Sequence, residues 1–419
     1  MENFLQNVEI AKKNIRKIFA PTPLQFSELL SKKYNANIFL KREDLTPVRS
    51  YKIRGAFHFI SEFLKKNNQK QTFVCASAGN HAQGFAFACA YFEIPGIIFM
   101  PTTTPQQKIS RTKFLGGDFV EINLVGDTFD EASTEAKKFY KTKNLIFVPP
   151  FDHEKIIEGQ STIATEILEH FEQISKNIDF LIIPVGGGGV AAGMSEYFKI
   201  KSPKTKIICA EPEGAPSLSK SLEKNKIITL KQIDGFVDGA AVKQIGKIPF
   251  DLLSKNIKEK ISLCPENRIC KTILSFLFYD GIILEPAGAL SIDALKDMSL
   301  EKIKNKNIVC IISGGNFDFE RLLEVKERAM KFSGKKKYFI LRLPQRPGAL
   351  KEFLNCLGPE DDISRFEYLK KSAKEFGSVL LGIESKNSKN FEILTQKIKA
   401  KSFKFKDITN DKILADFII

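Results

Sequence analysis

The sequence predicts an α/β protein: two parallel-sheet α/β domains facing each other across a cleft, followed by a small α+β module. Three patterns carry that expectation. Between residues 72 and 148 apolar, β-branched runs alternate with helical patterns, and a second such series occupies residues 155–312. From Lys337 the rhythm changes to β-α-β-β-α-β, the order of a ferredoxin-like module. Strands separated by helices pair in parallel, because the crossover helix returns the chain to the same edge and covers a face of the sheet.

Taken in order, the first nineteen residues place Leu, Val and Ile at helical spacing among charges. Pro21-Thr22-Pro23-Leu24 is a turn, residues 26–34 a short helix and residues 37–41 a strand. A helix over 54–63 leads into the first series, with strands at 72–76, 96–100, 118–122 and 145–148 and helices at 82–92, 105–115 and 129–141. The second series comprises helix 155–171, strand 180–185, helix 190–198, strand 206–210, helix 266–279 and strand 308–312. In the tail, strands at 338–343, 363–369 and 378–383 and helices at 349–357 and 391–401 precede a last apolar piece ending Asp416-Phe417-Ile418-Ile419. The expected division is 1–332, with about 40–150 as its smaller part, and 333–419, joined by the basic linker 331–337.

Composition excludes several classes. The balance of 64 Lys+Arg against 49 Asp+Glu gives a net charge of +15, but the lysines are dispersed and arginines interleaved with stacking aromatics are absent, which argues against nucleic acid. Seven cysteines at 75, 89, 209, 264, 270, 310 and 356 form no C-x-x-C pair, the usage of a reduced, cytoplasmic protein. Secretion and membrane-spanning segments are not expected, and neither the cysteines nor the four histidines show metal-ligand spacing.

The organising stretch is Ser50-Tyr51-Lys52-Ile53-Arg54-Gly55-Ala56. Lys52 is the candidate nucleophile, since a helix N-terminus with neighbouring cations favours the neutral amine. Three loops at the carboxyl ends of predicted strands are the expected ligand sites. Ser77-Ala78-Gly79-Asn80 can hold a carboxylate on backbone amides and polar side chains. Gly186-Gly187-Gly188-Gly189 exposes successive N–H groups suited to a phosphate. Ser313-Gly314-Gly315-Asn316 offers a hydroxyl. The glycine run also fits G-x-G-x-x-A, with Glu211 ending the next strand, so a dinucleotide site is the competing reading. It leaves Lys52 and Asn80 without a role.

The order of these motifs, with Glu285-Pro286-Ala287-Gly288-Ala289 before the last, resembles the pyridoxal-phosphate-dependent threonine dehydratases of fold type II, the tryptophan synthase β-like group. The resemblance implies pyridoxal 5'-phosphate held covalently by Lys52, its phosphate on Gly186, Gly187, Gly188 and Gly189, its ring hydroxyl on Asn80, Glu285 lining the ring and Ser313 facing the pyridine nitrogen. Ser77, Gly79 and Asn80 would fix the substrate carboxylate. The implied reaction is deamination of L-threonine, and of L-serine, to 2-oxobutanoate or pyruvate and ammonia. A serine dehydratase or racemase of the same group is the alternative. Residues 211–217 resemble a cation site of serine racemases, but Ser217 replaces an expected aspartate and leaves the metal open. Arg346-Pro347-Gly348 resembles the ligand turn of ACT-type regulatory domains, which implies a biosynthetic enzyme of the isoleucine pathway. Its effector would be isoleucine or valine, bound at Arg346 and Gly348, and its assembly a homotetramer or dimer. A non-catalytic amino-acid sensor built around the tail is the third reading.

Overall fold

The structure is a computed structural model that describes residues 2–67, 71–143, 145–369 and 375–411. The chain forms two compact units, Met1–Phe319 and Glu320–Ile419. In the first, helix Glu2–Ile15 precedes a short antiparallel pair, β1 (Leu24–Phe26) and β2 (Asn37–Arg42). Between them Ser27 caps helix Glu28–Tyr34 by accepting from the Leu30 amide at 3.3 Å, so the short helix expected from residue 26 begins two residues later.

The chain then leaves to build a separate sheet from β3 (Phe73–Ala76), β4 (Gly96–Met100), β5 (Val120–Leu124) and β6 (Ile146–Phe147). All are parallel, in the order β5-β4-β3-β6. The strand expected at 118–122 starts later, because Gly117–Phe119 forms a 3₁₀ turn. Helix Glu154–Gln173 returns the chain to the first sheet, completed by β7 (Phe180–Pro184), β8 (Lys206–Pro212), β9 (Ser262–Cys264) and β10 (Asn307–Ile312). Its order is β1-β2-β10-β7-β8-β9, parallel except for the β1–β2 pair.

Burial on both faces explains the unbroken apolar runs. Every residue of β7 is buried, and Leu181, Ile183, Val309 and Ile311 join one core with Ile163, Ile167 and Phe198 from helices Glu154–Gln173 and Gly189–Lys201. Phe73, Cys75, Ile98 and Met100 form the smaller core with Phe57, Ile60, Phe85 and Cys89. The seven cysteines are free and buried.

In the second unit, β11 (Lys336–Pro344), β12 (Asp361–Leu369), β13 (Phe376–Ser385) and β14 (Lys404–Asp407) form an antiparallel sheet ordered β12-β13-β11-β14. Helices Ala349–Leu354 and Asn390–Ala400 pack Phe353, Phe391 and Leu394 against Phe339, Leu341 and Val379. This is the ferredoxin-like order. The last apolar piece, 416–419, lies outside the described residues. Segment 331–337 is not an extended linker: helix Leu322–Phe332 runs into it and β11 starts at Lys336, which pairs with Glu327 at 2.5 Å and Glu384 at 3.0 Å.

Candidate active site

Helix Lys52–Lys66 begins at the lysine itself, two residues earlier than its periodicity suggests. The segment before it is fastened to the loop after β10: Tyr51 donates to the Ser313 carbonyl at 3.1 Å, Gly315 donates to the Arg49 carbonyl at 2.9 Å, and Ser50 bridges Gly314. Lys52 and Ser313, 261 positions apart, are thereby brought to neighbouring strand ends.

Lys52 Nζ donates to the Pro150 carbonyl at 2.8 Å and lies 5.8 Å from the centroid of the Phe151 ring. Desolvation lowers its pKa to about 8, and the Glu285 carboxylate opposes the shift. Neighbouring cations, the cause expected from sequence, are not the source, because Arg54 points inward to Glu43 at 2.7 Å and Glu166 at 2.7 Å. Burial, helped by the nearby Lys52 cation, pushes His81 down to about 3, so its ring is neutral and Nε2 meets the Val148 carbonyl at 2.9 Å as a donor.

The glycine run sits at the carboxyl end of β7 and opens helix Gly189–Lys201, whose first N–H groups have no partners within the helix. Gly188 adopts φ +87°, the left-handed region that glycine reaches without strain. A Cβ on Gly186 would stand 2.7 Å from the Ala240 Cα, and one on Gly187 would overlap the Phe151 ring. The loop is therefore a close-fitting cradle, with Phe151 shared between it and Lys52.

Asn80 starts helix Asn80–Phe92 and donates through Nδ2 to Glu285 Oε1 at 2.7 Å. Burial first, then Asp238, raises the Glu285 carboxyl to about 7, against the lowering effect of Asn80 and Lys108. Ser77 Oγ accepts from the Gly79 amide at 3.1 Å, so that amide is engaged within its own loop. Ser313 is 3 % exposed at the end of β10. Lys52, Ser77, Gly79, Asn80, the four glycines, Glu285 and Ser313 thus all sit at or beside carboxyl ends of parallel strands in the first unit.

Arg346 and Gly348 belong to the second unit. Arg346 forms a two-pronged ion pair with Glu352, both bonds at 2.9 Å, and Gly348 takes φ +82° before helix Ala349–Leu354. Glu211 accepts from the Leu218 and Ser219 amides at 2.7 and 2.8 Å, and burial raises its pKa to about 7. No group of His, Cys, Asp or Glu suited to a metal occurs among the described residues.

Sequence reasoning missed Pro150 and Phe151, although their place after β6 is the position that strand-end logic flags. It also missed Asp238, which pairs across the cleft with Lys108, and Gln160, whose buried amide reaches toward Gly189.

Residues 15–314 match the family described as pyridoxal-phosphate dependent enzyme, and residues 327–418 match the C-terminal regulatory domain of threonine dehydratase. The chain is 48% identical, over 99% of each sequence, to the L-threonine dehydratase biosynthetic IlvA of Halalkalibacterium halodurans. It is 45% identical to that of Bacillus subtilis, over 98% of this chain and 96% of the relative. Among solved structures, the processed form of threonine deaminase isoform 2 from Solanum lycopersicum aligns with a TM-score of 0.72 at 38% identity, covering 78% of this chain and 88% of that one. A catalytic-family match over most of the chain, a regulatory match over its tail and near-complete coverage of such relatives place this protein among the pyridoxal-phosphate-dependent enzymes, in the family of biosynthetic L-threonine dehydratases.

Proposed function

We propose that the chain deaminates L-threonine to 2-oxobutanoate and ammonia, the committed step from threonine toward isoleucine, with L-serine as a second substrate giving pyruvate. The observation that carries this reading is an amine of lowered pKa, Lys52, bonded to a carbonyl rather than a carboxylate and sharing the Phe151 ring with the glycine loop that opens helix Gly189–Lys201. The residues fit pyridoxal phosphate. Gly186 to Gly189 and the helix start behind them would bind its phosphate, Asn80 would donate to its ring oxygen, Glu285 would line the ring, Ser313 would face the ring nitrogen and Lys52 would hold its aldehyde carbon.

When bound, the cofactor supplies an electron sink that acidifies the α-proton of an amino acid and lets a β-hydroxyl depart. Lys52 Nζ would take the Cα proton, and a pKa of about 8 leaves roughly a tenth of the amine neutral at neutral pH, far more than an ordinary lysine would. The start of helix Asn80–Phe92, with Ser77 and with the Gly79 amide exchanging its bond to Ser77 Oγ for the substrate, would hold the substrate carboxylate and so orient the Cα–H bond. Ser313 presents a hydroxyl where a carboxylate would keep a proton on the ring nitrogen, which favours elimination over transamination. The Cβ–O bond breaks and the hydroxyl departs as water by taking up one proton, which balances the one moved from Cα to Lys52; the enamine released takes up water to give the 2-oxo acid and ammonia.

The tail is the regulatory part, with isoleucine as the effector whose carboxylate meets Arg346 and the Gly348 turn; the working assembly is a homo-oligomer in the cytoplasm. The described helices include none long and apolar enough to cross a membrane. The test is release of 2-oxo acid from purified protein loaded with pyridoxal phosphate, with threonine and serine supplied in turn. Product from threonine supports the reading, and D-serine formation without 2-oxo acid would favour a racemase instead.

A further inference from the structure

The loop after β10 ends in a side chain that no role above uses. Asn316 Nδ2 lies 2.9 Å from the Val48 carbonyl and 2.7 Å from Asn80 Oδ1, while Asn80 Nδ2 lies 2.7 Å from Glu285 Oε1. The series begins at a backbone carbonyl, which can only accept, and this fixes the direction of everything after it. The Asn316 atom facing Val48 must be the amide nitrogen. Its second hydrogen requires an acceptor, so Asn80 turns its oxygen toward Asn316 and its nitrogen toward Glu285. That nitrogen carries two hydrogens and Glu285 takes one, which leaves a donor for the ring oxygen of the cofactor.

We propose that Asn316 is a positioning residue that sets the amide orientation of Asn80, so that an N–H rather than a carbonyl oxygen is presented to the cofactor ring oxygen. The inference rests on the reading of Asn80 as the ring-oxygen partner. Glu285 is 5 % exposed and its carboxylate nests against Gly314 of the loop that carries Asn316, and a Cβ on Gly239 would stand 3.6 Å from Glu285 Oε1 and 3.9 Å from Asn80 Nδ2. The Asn316 side chain thereby ties the stretch before Lys52 to the Ser77–Asn80 loop, and Asn80 carries the link on to Glu285. Sequence order hides this, since Asn80 and Asn316 are 236 positions apart.

The two obvious substitutions separate orientation from packing. Asn316→Asp keeps the shape but offers only acceptors, so Asn80 must turn its nitrogen to Asp and its oxygen toward Glu285 and the ring oxygen. Asn316→Ala removes the constraint and lets Asn80 take either orientation. Orientation control therefore ranks wild type above Ala above Asp for affinity toward pyridoxal phosphate, with Asp about tenfold or more weaker than wild type, as expected when a donor is replaced by an unpaired acceptor. A packing role instead predicts that each variant's loss of affinity is matched by a loss in the cofactor-free melt.

The experiment titrates the cofactor-free full chain with pyridoxal phosphate, records the pH midpoint of the bound cofactor's visible band, and melts the cofactor-free protein as a fold control. Asn80→Ala is run beside it. The proposal expects Asp to bind more weakly than Ala, and both to move the band midpoint without a matching loss in the cofactor-free melt. Asp binding as well as or better than Ala overturns it. Should Asp fail to fold, Ala alone decides: a moved midpoint at an unchanged melt supports orientation, whereas an unchanged midpoint with a lowered melt overturns it. If Asn80→Ala leaves affinity and band unchanged, the Asn80 reading itself falls and takes this inference with it. If Asn80→Ala alters them and neither Asn316 variant does, only the inference falls.

Discussion

Glu166→Gln is expected to destabilise the first unit by about 3–5 kcal/mol at neutral pH, the usual cost of leaving a buried charge unpaired. Glu166 accepts from Arg54 at 2.7 and 3.0 Å, Arg16 at 2.7 Å, Lys41 at 2.5 Å and the Thr22 amide at 3.1 Å. The side chains of Arg54 and Glu43 are fully buried, and those of Lys41 and Glu166 are 1 % exposed. Burial alone would raise the Glu166 carboxyl, but Arg54 and Lys41 outweigh it and hold the group well below the usual range. Its contribution is thus present above the unfolded carboxylate pKa and is lost as pH falls through the folded one. In the variant, Arg54 keeps Glu43 while Lys41 and Arg16 lose their carboxylate partner. Lys41 can relieve this by losing its proton, because burial already lowers its pKa and Glu166 is the main opposing influence. A lysine depressed in the folded state stabilises the fold less as pH drops below its unfolded value, so the variant, whose Lys41 lacks the opposing Glu166, must gain more stability than wild type as pH rises from a neutral to an alkaline value. The chain has no tryptophan, so urea unfolding is followed by far-ultraviolet circular dichroism at both pH values. A loss below about 1 kcal/mol, in the range of ordinary surface substitutions, or a pH dependence equal to wild type, refutes the account of this cluster.

Further outcomes follow from the site and the tail. Glu285→Gln removes the carboxylate that opposes the lowering of Lys52, so the amine should titrate below its present value of about 8. The pH dependence of Lys52 acylation in cofactor-free protein reads this, and an unchanged or raised midpoint contradicts it. Gly188→Ala forces a side chain into φ +87° with its Cβ 2.8 Å from Pro249, costing roughly 1–2 kcal/mol in backbone conformation alone. Titration with pyridoxal phosphate should show weaker binding at an unchanged 2-oxo acid product. Arg346→Glu should leave basal turnover intact and weaken isoleucine inhibition severalfold, because it reverses the charge offered to the effector carboxylate; inhibition curves as tight as wild type would remove Arg346 from the effector site.

Much of the fold was legible because its signals are local. The runs at 96–100 and 266–279 match the observed strand and helix end to end, since both combine strong periodicity with clear boundaries. Strand partnership is not local. Nothing in residues 37–42 announces that β2 pairs with β10, some 270 positions on, and so belongs to the larger sheet rather than to the sheet that follows it in the chain. Short elements such as β9 and helix Pro286–Asp293 are too brief for a period to register. At the site, Lys52, the glycines and Ser313 stood out as motifs at strand ends. Phe151, Asp238 and Asn316 act through contacts across the cleft or between distant loops, and their types carry no signal of their own. The lowered pKa of Lys52 was expected in direction, but its cause, desolvation, depends on what the fold packs around the amine.

The central claim is that Lys52 is the residue to which the cofactor is joined. Reduction of the cofactor-loaded full chain with borohydride, followed by peptide mass spectrometry, should place the pyridoxyl adduct on Lys52 alone, and Lys52→Ala should give neither adduct nor 2-oxo acid from threonine. An adduct on another lysine, or turnover of threonine by Lys52→Ala, would contradict the account.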